Sequence, residues 1–145
     1  MPASYLCFDF GERRIGVAAG QAITGSASPV TTVAAHAGEP DWQVVDSVVA
    51  EWRPDALVVG IPLLLDGAEQ PLTRRARGFA RALGTRYGLT VHEADERLSS
   101  AAAEQLVADA RARGVRRRTR KGDIDRIAAC LILERWLADR SLHGD

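Results

Sequence analysis

Five carboxylates fall in three short strings of this 145-residue chain. Asp9 stands in "YLCFDFG", Asp95 and Glu96 in "DERLSS", and Asp123 and Asp125 in "KGDIDRIAA". Asp9 is the least expected, because it interrupts an apolar run where an uncompensated carboxylate is costly. Acids that converge repel one another unless a cation lies between them. A donor set of carboxylate oxygens, with no His or Cys, suits Mg²⁺ or Mn²⁺ rather than zinc. Such ions serve phosphate chemistry by activating water, polarising the phosphoryl group and stabilising the leaving oxygen. Each acid also has an ordinary structural role open to it. Asp9 could pair with Arg13 or Arg14, and Asp95 or Glu96 with Arg97. Asp123 reads as a helix N-cap, and Asp125 would be favoured at the positive end of a helix dipole. The site reading rests on all three strings reaching one edge of the fold.

Other chemistries find less support. His36, His92 and His143 have no metal-ligand spacing, and the serines lack a matched histidine or a nucleophile elbow. Cys7 and Cys130 lie in apolar segments and read as small buried hydrophobes of a reducing compartment. The three tryptophans read as helix-packing residues rather than a base-stacking set. "GAEQPLTRRAR" lacks the lysine and spacing of a P-loop, but its switch from acid to arginine makes a substrate-facing loop that includes Arg74. Formal net charge is zero, so bulk charge does not advertise a polyanionic partner. Basic residues nevertheless concentrate in "RARGVRRRTRK", residues 111–121. That run is either a solvated loop or a phosphate-contacting arm.

The elements that must position these acids are legible from periodicity. "YLCFDF" is a short apolar run of the kind covered on both sheet faces. "RIGVAAG" follows the "GER" turn as its hairpin partner, and the β-branched "SPVTTVAA" is a third strand. In "DWQVVDSVVAEWR" the period changes to a helix, with Trp42, Val45, Val48, Val49 and Trp52 on one stripe, Asp41 at the cap and Pro54 beyond the end. "ALVVGIP" is a fourth strand. From Leu72 a helix places Ala76, Phe79, Ala80, Leu83 and Tyr87 inward and arginines outward, ending at Gly88. "LTVHEAD" is a fifth strand. A helix over "SSAAAEQLVADARAR" and a last helix over "DIDRIAACLILERWLAD" complete the order, the latter with Ile124, Ile127, Ala128, Leu131 and Ile132 inward. Hairpin strands followed by βαβα alternation give an α/β fold, a mixed five-stranded sheet with helices on both faces, which is the ribonuclease H-like architecture. Sites in open α/β sheets collect at the carboxyl ends of strands, where Asp9, Asp95 and Glu96 stand.

The chain is read as a single domain over residues 1–145, long enough to bury a core of its own. Its composition, 46% hydrophobic and 26% charged, is that of a soluble globular protein. No apolar run approaches the ~20 residues of a membrane helix. The N-terminus has no basic region and cleavage pattern of a signal peptide. A cytoplasmic location with no membrane partner is expected.

The strings "FDFGERRIGVA", "ALVVGIPLLLDGAEQPLTRRARGFA", "DERLSSAAAE" and "RKGDIDRIAACLILE" resemble, in order and over roughly Tyr5 to Trp136, the YqgF or RuvX-type family of pre-16S rRNA nucleases and Holliday junction resolvases. The resemblance implies a ribonuclease H-like fold and a metal-dependent phosphodiester hydrolase, with Mg²⁺ or Mn²⁺ as cofactor. Carried over by position, the catalytic and metal-binding acids are Asp9, Glu96 and Asp125, with Asp95 the alternative to Glu96. The pattern K-G-x-x-D-x-x-A-A selects Asp125 and leaves Asp123 on a variable position. Arg97, Lys121, Arg118, Arg120 and Arg74 would hold substrate phosphates. Many ribonuclease H-like nucleases carry an acid at the end of the fourth strand, whereas this chain reads "VGIP" there. The implied partner is nucleic acid, either an rRNA precursor with the ribosome or branched DNA, with the protein a monomer or homodimer. Two other classes compete: an actin-like ATPase, which needs a second domain, and a non-catalytic RNA- or ribosome-binding module on the same fold.

Overall fold

The computed structural model of the chain describes residues 3–64, 66–95 and 121–142. Strands β1 (Ser4–Asp9) and β2 (Arg14–Gln21) form the expected antiparallel hairpin. Its turn needs glycine at Gly11, where a Cβ would lie 2.6 Å from the Arg14 carbonyl oxygen. Strand β3 (Ser26–His36) pairs antiparallel with β2. Beyond helix α1 (Trp42–Trp52), strand β5 (Ala56–Ile61) runs parallel to β1. Beyond helix α2 (Pro71–Tyr87), strand β6 (Val91–Asp95) runs parallel to β5. The last described helix, α3, spans Lys121–Leu142.

The sheet has six strands, not the five expected from the sequence. The addition is β4 (Glu39–Pro40), two residues paired with Ala35 and His36 at the end of β3. Two residues are too few for any periodicity. The pair exists because Ala37 and Gly38 both adopt positive φ, 51° and 83°, the requirement of a tight two-residue hairpin turn. The order β4-β3-β2-β1-β5-β6 leaves β1 in the middle of the sheet.

Alternation along the strands divides the core into two layers. Leu6, Phe8, Val17, Leu57 and Val59 face α1 and α2, and Tyr5, Cys7, Ala56, Val58 and Ala94 face α3. On the first face, Phe79 of α2 packs against Phe8, Phe10 and Trp42, with ring centroids 5.6, 5.2 and 5.7 Å away. The inward stripe of α2 is as the sequence predicts, with Ala76, Phe79, Ala80 and Leu83 buried. It gains Thr73, a wholly buried hydroxyl that accepts the Gln70 N–H at 3.0 Å and donates to the Pro62 carbonyl. This capping box fixes the start of α2 to the end of β5. Helix α1 closes at Arg53, whose left-handed backbone (φ 44°) donates its N–H to Val49 O ahead of Pro54. Asp41 occupies the N-cap of α1, but its side chain makes no capping hydrogen bond. Trp52 departs from its expected packing role and is 44% exposed.

Helix α3 differs from its expected orientation. Its buried residues are Ala128, Ala129, Ile132, Leu133 and Leu137, while Ile124, Ile127 and Leu131 are only half-buried. The face toward the sheet is therefore rotated by roughly one residue, about 100°, and its stripe runs 125–129–132–136. It can pack closely because β2 presents Gly16, Ala18 and Gly20 on that face. A Cβ at Gly20 would lie 2.9 Å from Leu133 Cδ2. The far end of α3 is fixed by Trp136, stacked edge-on to Tyr5 at 5.0 Å and beside His92 at 4.9 Å. No described helix is long and apolar enough to cross a membrane. The expected helix over residues 99–113 and the basic run over 111–120 lie outside the described residues.

Candidate active site

Asp9 is the last residue of β1, and alternation continues Tyr5 and Cys7 onto the α3 face. Its two lateral neighbours in the sheet are Gly16 on β2 and Gly60 on β5. Neither neighbour carries a side chain. The "VGIP" string thus puts Gly60, where related folds carry an acid, directly beside Asp9 in the sheet.

Gly16 also brings Asp125 to the same place. A Cβ built at Gly16 falls on the Asp125 carbonyl and 3.0 Å from the Arg126 nitrogen. The backbone of α3 at Asp125 therefore rests directly on the residue paired with Asp9, about one strand spacing (~4.8 Å) from the β1 backbone. Two arginines hold the start of the helix there. Arg14 Nε donates to Asp125 Oδ2 at 2.9 Å. Arg126 donates through Nη1 to Thr32 Oγ1 of β3 at 3.1 Å and pairs with Asp123. Arg14 thus serves Asp125, and Asp123 lies inside the first turn as an ion-pair partner of Arg126 rather than acting as the N-cap. Sequence alone could not assign Arg14, because its partner lies 111 positions away.

Asp95 ends β6 in register with Ile61. It shares its parity with Val91 and Glu93, and Glu93 pairs with Arg77 of α2 at 3.5 Å. Asp95 therefore stands on the α1/α2 face, opposite to Asp9. Glu96, Arg97, Arg118 and Arg120 lie outside the described residues, as does the side chain of Lys121. Arg74 is exposed on the first turn of α2, beside Glu69, Gln70 and Pro71.

The donor chemistry at this edge fits a hard divalent cation. Asp9 and Asp125 are carboxylates, hard oxygen donors of the kind such an ion takes. The Arg14 bond engages one Asp125 oxygen, Oδ2, and Oδ1 makes no hydrogen bond among the described residues. No cluster of three or more His, Cys, Asp or Glu able to hold a metal occurs among the described residues. The cysteines offer no rival chemistry. Cys7 is buried in the core, and burial with the nearby Glu134 raises the Cys130 thiol to about 11, far from a reactive thiolate.

A mixed sheet with an acid closing its central strand, and a helix laying a second acid beside it, defines the ribonuclease H-like class. The fold is shared with solved structures. That described as "T. thermophilus RuvC in complex with Holliday junction substrate" matches with a TM-score of 0.56 over 96% of each chain at 17% identity. "Thermus thermophilus RuvC structure" matches with a TM-score of 0.53, covering 95% of this chain and 96% of that one at 16% identity. Within that class the chain belongs to the RuvX family, described as "Holliday junction resolvase", whose family model matches residues 3–139. Relatives named "Putative pre-16S rRNA nuclease" include one from Legionella pneumophila (strain Paris), 48% identical over 92% of this chain and 94% of its own length. Another, from Glaesserella parasuis, is 46% identical over 97% of this chain and all of its own. A third, from Azotobacter vinelandii, is 49% identical over 96% of each.

Proposed function

We propose that this chain is a divalent-metal-dependent nuclease that hydrolyses phosphodiester bonds at the 5′ end of pre-16S rRNA during ribosome biogenesis in the cytoplasm. One observation supports the reading: the Asp125 backbone of α3 is seated on Gly16, the sheet partner of Asp9, so two acidic residues from distant parts of the chain lie at one strand end. Asp9, Asp125 and Glu96 hold Mg²⁺ or Mn²⁺. Asp95 is the poorer third ligand because it stands on the opposite sheet face. When bound, the ion supplies activation of water and stabilisation of charge on the phosphoryl and leaving oxygens. The chain's own part is positional. The rigid β1 backbone and the Arg14–Asp125 bond hold the carboxylates still, which avoids reorganisation during in-line displacement. Arg97, Lys121, Arg118, Arg120 and Arg74 contact flanking phosphates.

Resolution of four-way DNA junctions is the second reading, favoured by the description of the matching family and by the fold shared with a structure holding that substrate. Cutting two strands symmetrically would call for a homodimer. Cleavage of a 5′-extended 16S precursor RNA and of a four-way DNA junction, each in Mg²⁺ and in Mn²⁺, separates the readings. The proposal expects RNA to be cut faster. Exclusive junction cleavage would transfer the assignment to DNA. Cleavage of neither would leave a binding module.

A further inference from the structure

Helix α2 is unusually basic. Its 17 residues hold five arginines and no Asp or Glu. Three of the five are answered by acids on neighbouring elements: Arg75 by Glu12 at 2.5 Å, Arg77 by Glu69 and Glu93, and Arg86 by Asp46 at 2.8 Å. Arg74 and Arg81 are exposed and make no ion pair among the described residues. They lie seven positions apart, two turns and about 10 Å along one helical stripe. Between them, at the i+4 position, is Gly78. A Cβ at Gly78 would meet nothing within 4 Å, so no packing among the described residues requires glycine there. Glycine inside a helix lowers stability, and its usual compensation is close approach of another backbone or ligand. Gly78 also lines a hollow of about 420 Å³ with Gly38, Trp42 and Arg75. The Arg75–Glu12 pair sets the first turn of α2 against the β1–β2 turn, three residues beyond Asp9.

We infer that the Arg74–Gly78–Arg81 stripe of α2 is a second contact surface for the phosphodiester backbone of the substrate, lying around the sheet edge from Asp9. Arg74 and Arg81 neutralise phosphates, and Gly78 lets the strand approach the helix backbone. This rests on the nuclease reading and adds the path the strand takes away from the cut.

The test is binding of a labelled 5′-extended 16S precursor RNA and of a labelled four-way DNA junction, in EDTA across a salt series, with cleavage measured in parallel. Arg74→Gln/Arg81→Gln is expected to weaken binding of the preferred nucleic acid at least tenfold near 0.1 M salt. The slope of log K against log salt should fall by about 1.4 for a single strand, from two lost phosphate contacts. Arg53→Gln/Arg135→Gln, which removes the same charge from exposed sites elsewhere, should change binding less than threefold. Gly78→Ala should raise Tm by roughly 2–5 °C and weaken binding severalfold. Wild-type binding by the Arg74/Arg81 variant, or equal losses in the charge control, would overturn the inference and the Arg74 phosphate contact proposed above, while metal-dependent cleavage in the parallel assay would leave the nuclease reading standing. The first of these results would leave an acidic protein as the partner of this face. Wild-type binding by Gly78→Ala would overturn the close-approach role. If the wild-type protein neither bound nor cut either nucleic acid, the nuclease reading would fall and this surface with it.

Discussion

Gly16→Ala adds one methyl group and leaves every carboxylate in place. The backbone of Gly16 lies in a regular strand paired with Asp9 and Thr32, so alanine is conformationally acceptable there. The cost is steric, because the new methyl would occupy the position of the Asp125 carbonyl and stand 3.0 Å from Arg126 N. To restore ordinary separations of about 3.5 Å, the start of α3 must retreat by roughly 1 Å or more, and Asp125 must move away from Asp9. Overpacking of this kind costs about 1–3 kcal/mol of stability, and a misplacement of about 1 Å in a catalytic constellation costs about 10²-fold in rate. The assay is single-turnover cleavage at saturating Mg²⁺ alongside urea unfolding. Gly20→Ala is the matched control: its methyl would lie 2.8 Å from Ser26 O and 2.9 Å from Leu133 Cδ2, eight residues along the helix from Asp125. Both variants should lose comparable stability, but only Gly16→Ala should lose about 10²-fold in rate. A Gly16→Ala enzyme that is destabilised yet cleaves at the wild-type rate would refute the idea that this contact sets the Asp9–Asp125 geometry.

The Arg14–Asp125 pair is half-exposed, so Arg14→Gln should cost only about 1 kcal/mol, and a double-mutant cycle with Asp125→Asn should return a coupling of about 0.5–1 kcal/mol. Asp46 is held at about 2, against an ordinary 3.8, by hydrogen bonds from Arg86 and Tyr87. A depressed carboxylate stabilises the fold above its unfolded value and loses that contribution as pH falls through its folded one. The Tm difference between wild type and Asp46→Asn, followed by calorimetry, should therefore be full above pH 4 and close between pH 4 and 2. Arg53→Gly, at a left-handed helix terminus where a side chain is unfavourable, should raise stability by about 0.5–1 kcal/mol in urea unfolding.

Most of the scaffold was legible because its signals are local. The apolar run around Asp9, the β-branched third strand and the 3.6-residue period of α2 each fall within a dozen residues, and each element formed where its pattern lies. β4 was not legible, since a two-residue strand has no period and depends on the backbone of Ala37 and Gly38. The facing of α3 was misjudged because Ile124, Ile127 and Leu131 make an apolar stripe as good as the true one. The small residues of β2 select the other stripe, and they lie more than 100 positions away. That selection seats the Asp125 backbone on Gly16, the sheet partner of Asp9. Asp9 and Asp125 were candidates from the sequence, but the contact of Gly16 with α3 and the pairing of Arg14 arise only once strand and helix are in contact.

Single-turnover cleavage by Asp9→Asn tests the central claim most directly, using the preferred nucleic acid in Mg²⁺ and Mn²⁺ and checking the fold by its unfolding transition. The account predicts a folded variant whose metal-dependent cleavage is lost by about 10³-fold or more. A folded Asp9→Asn protein that cleaves as fast as the wild type would contradict it.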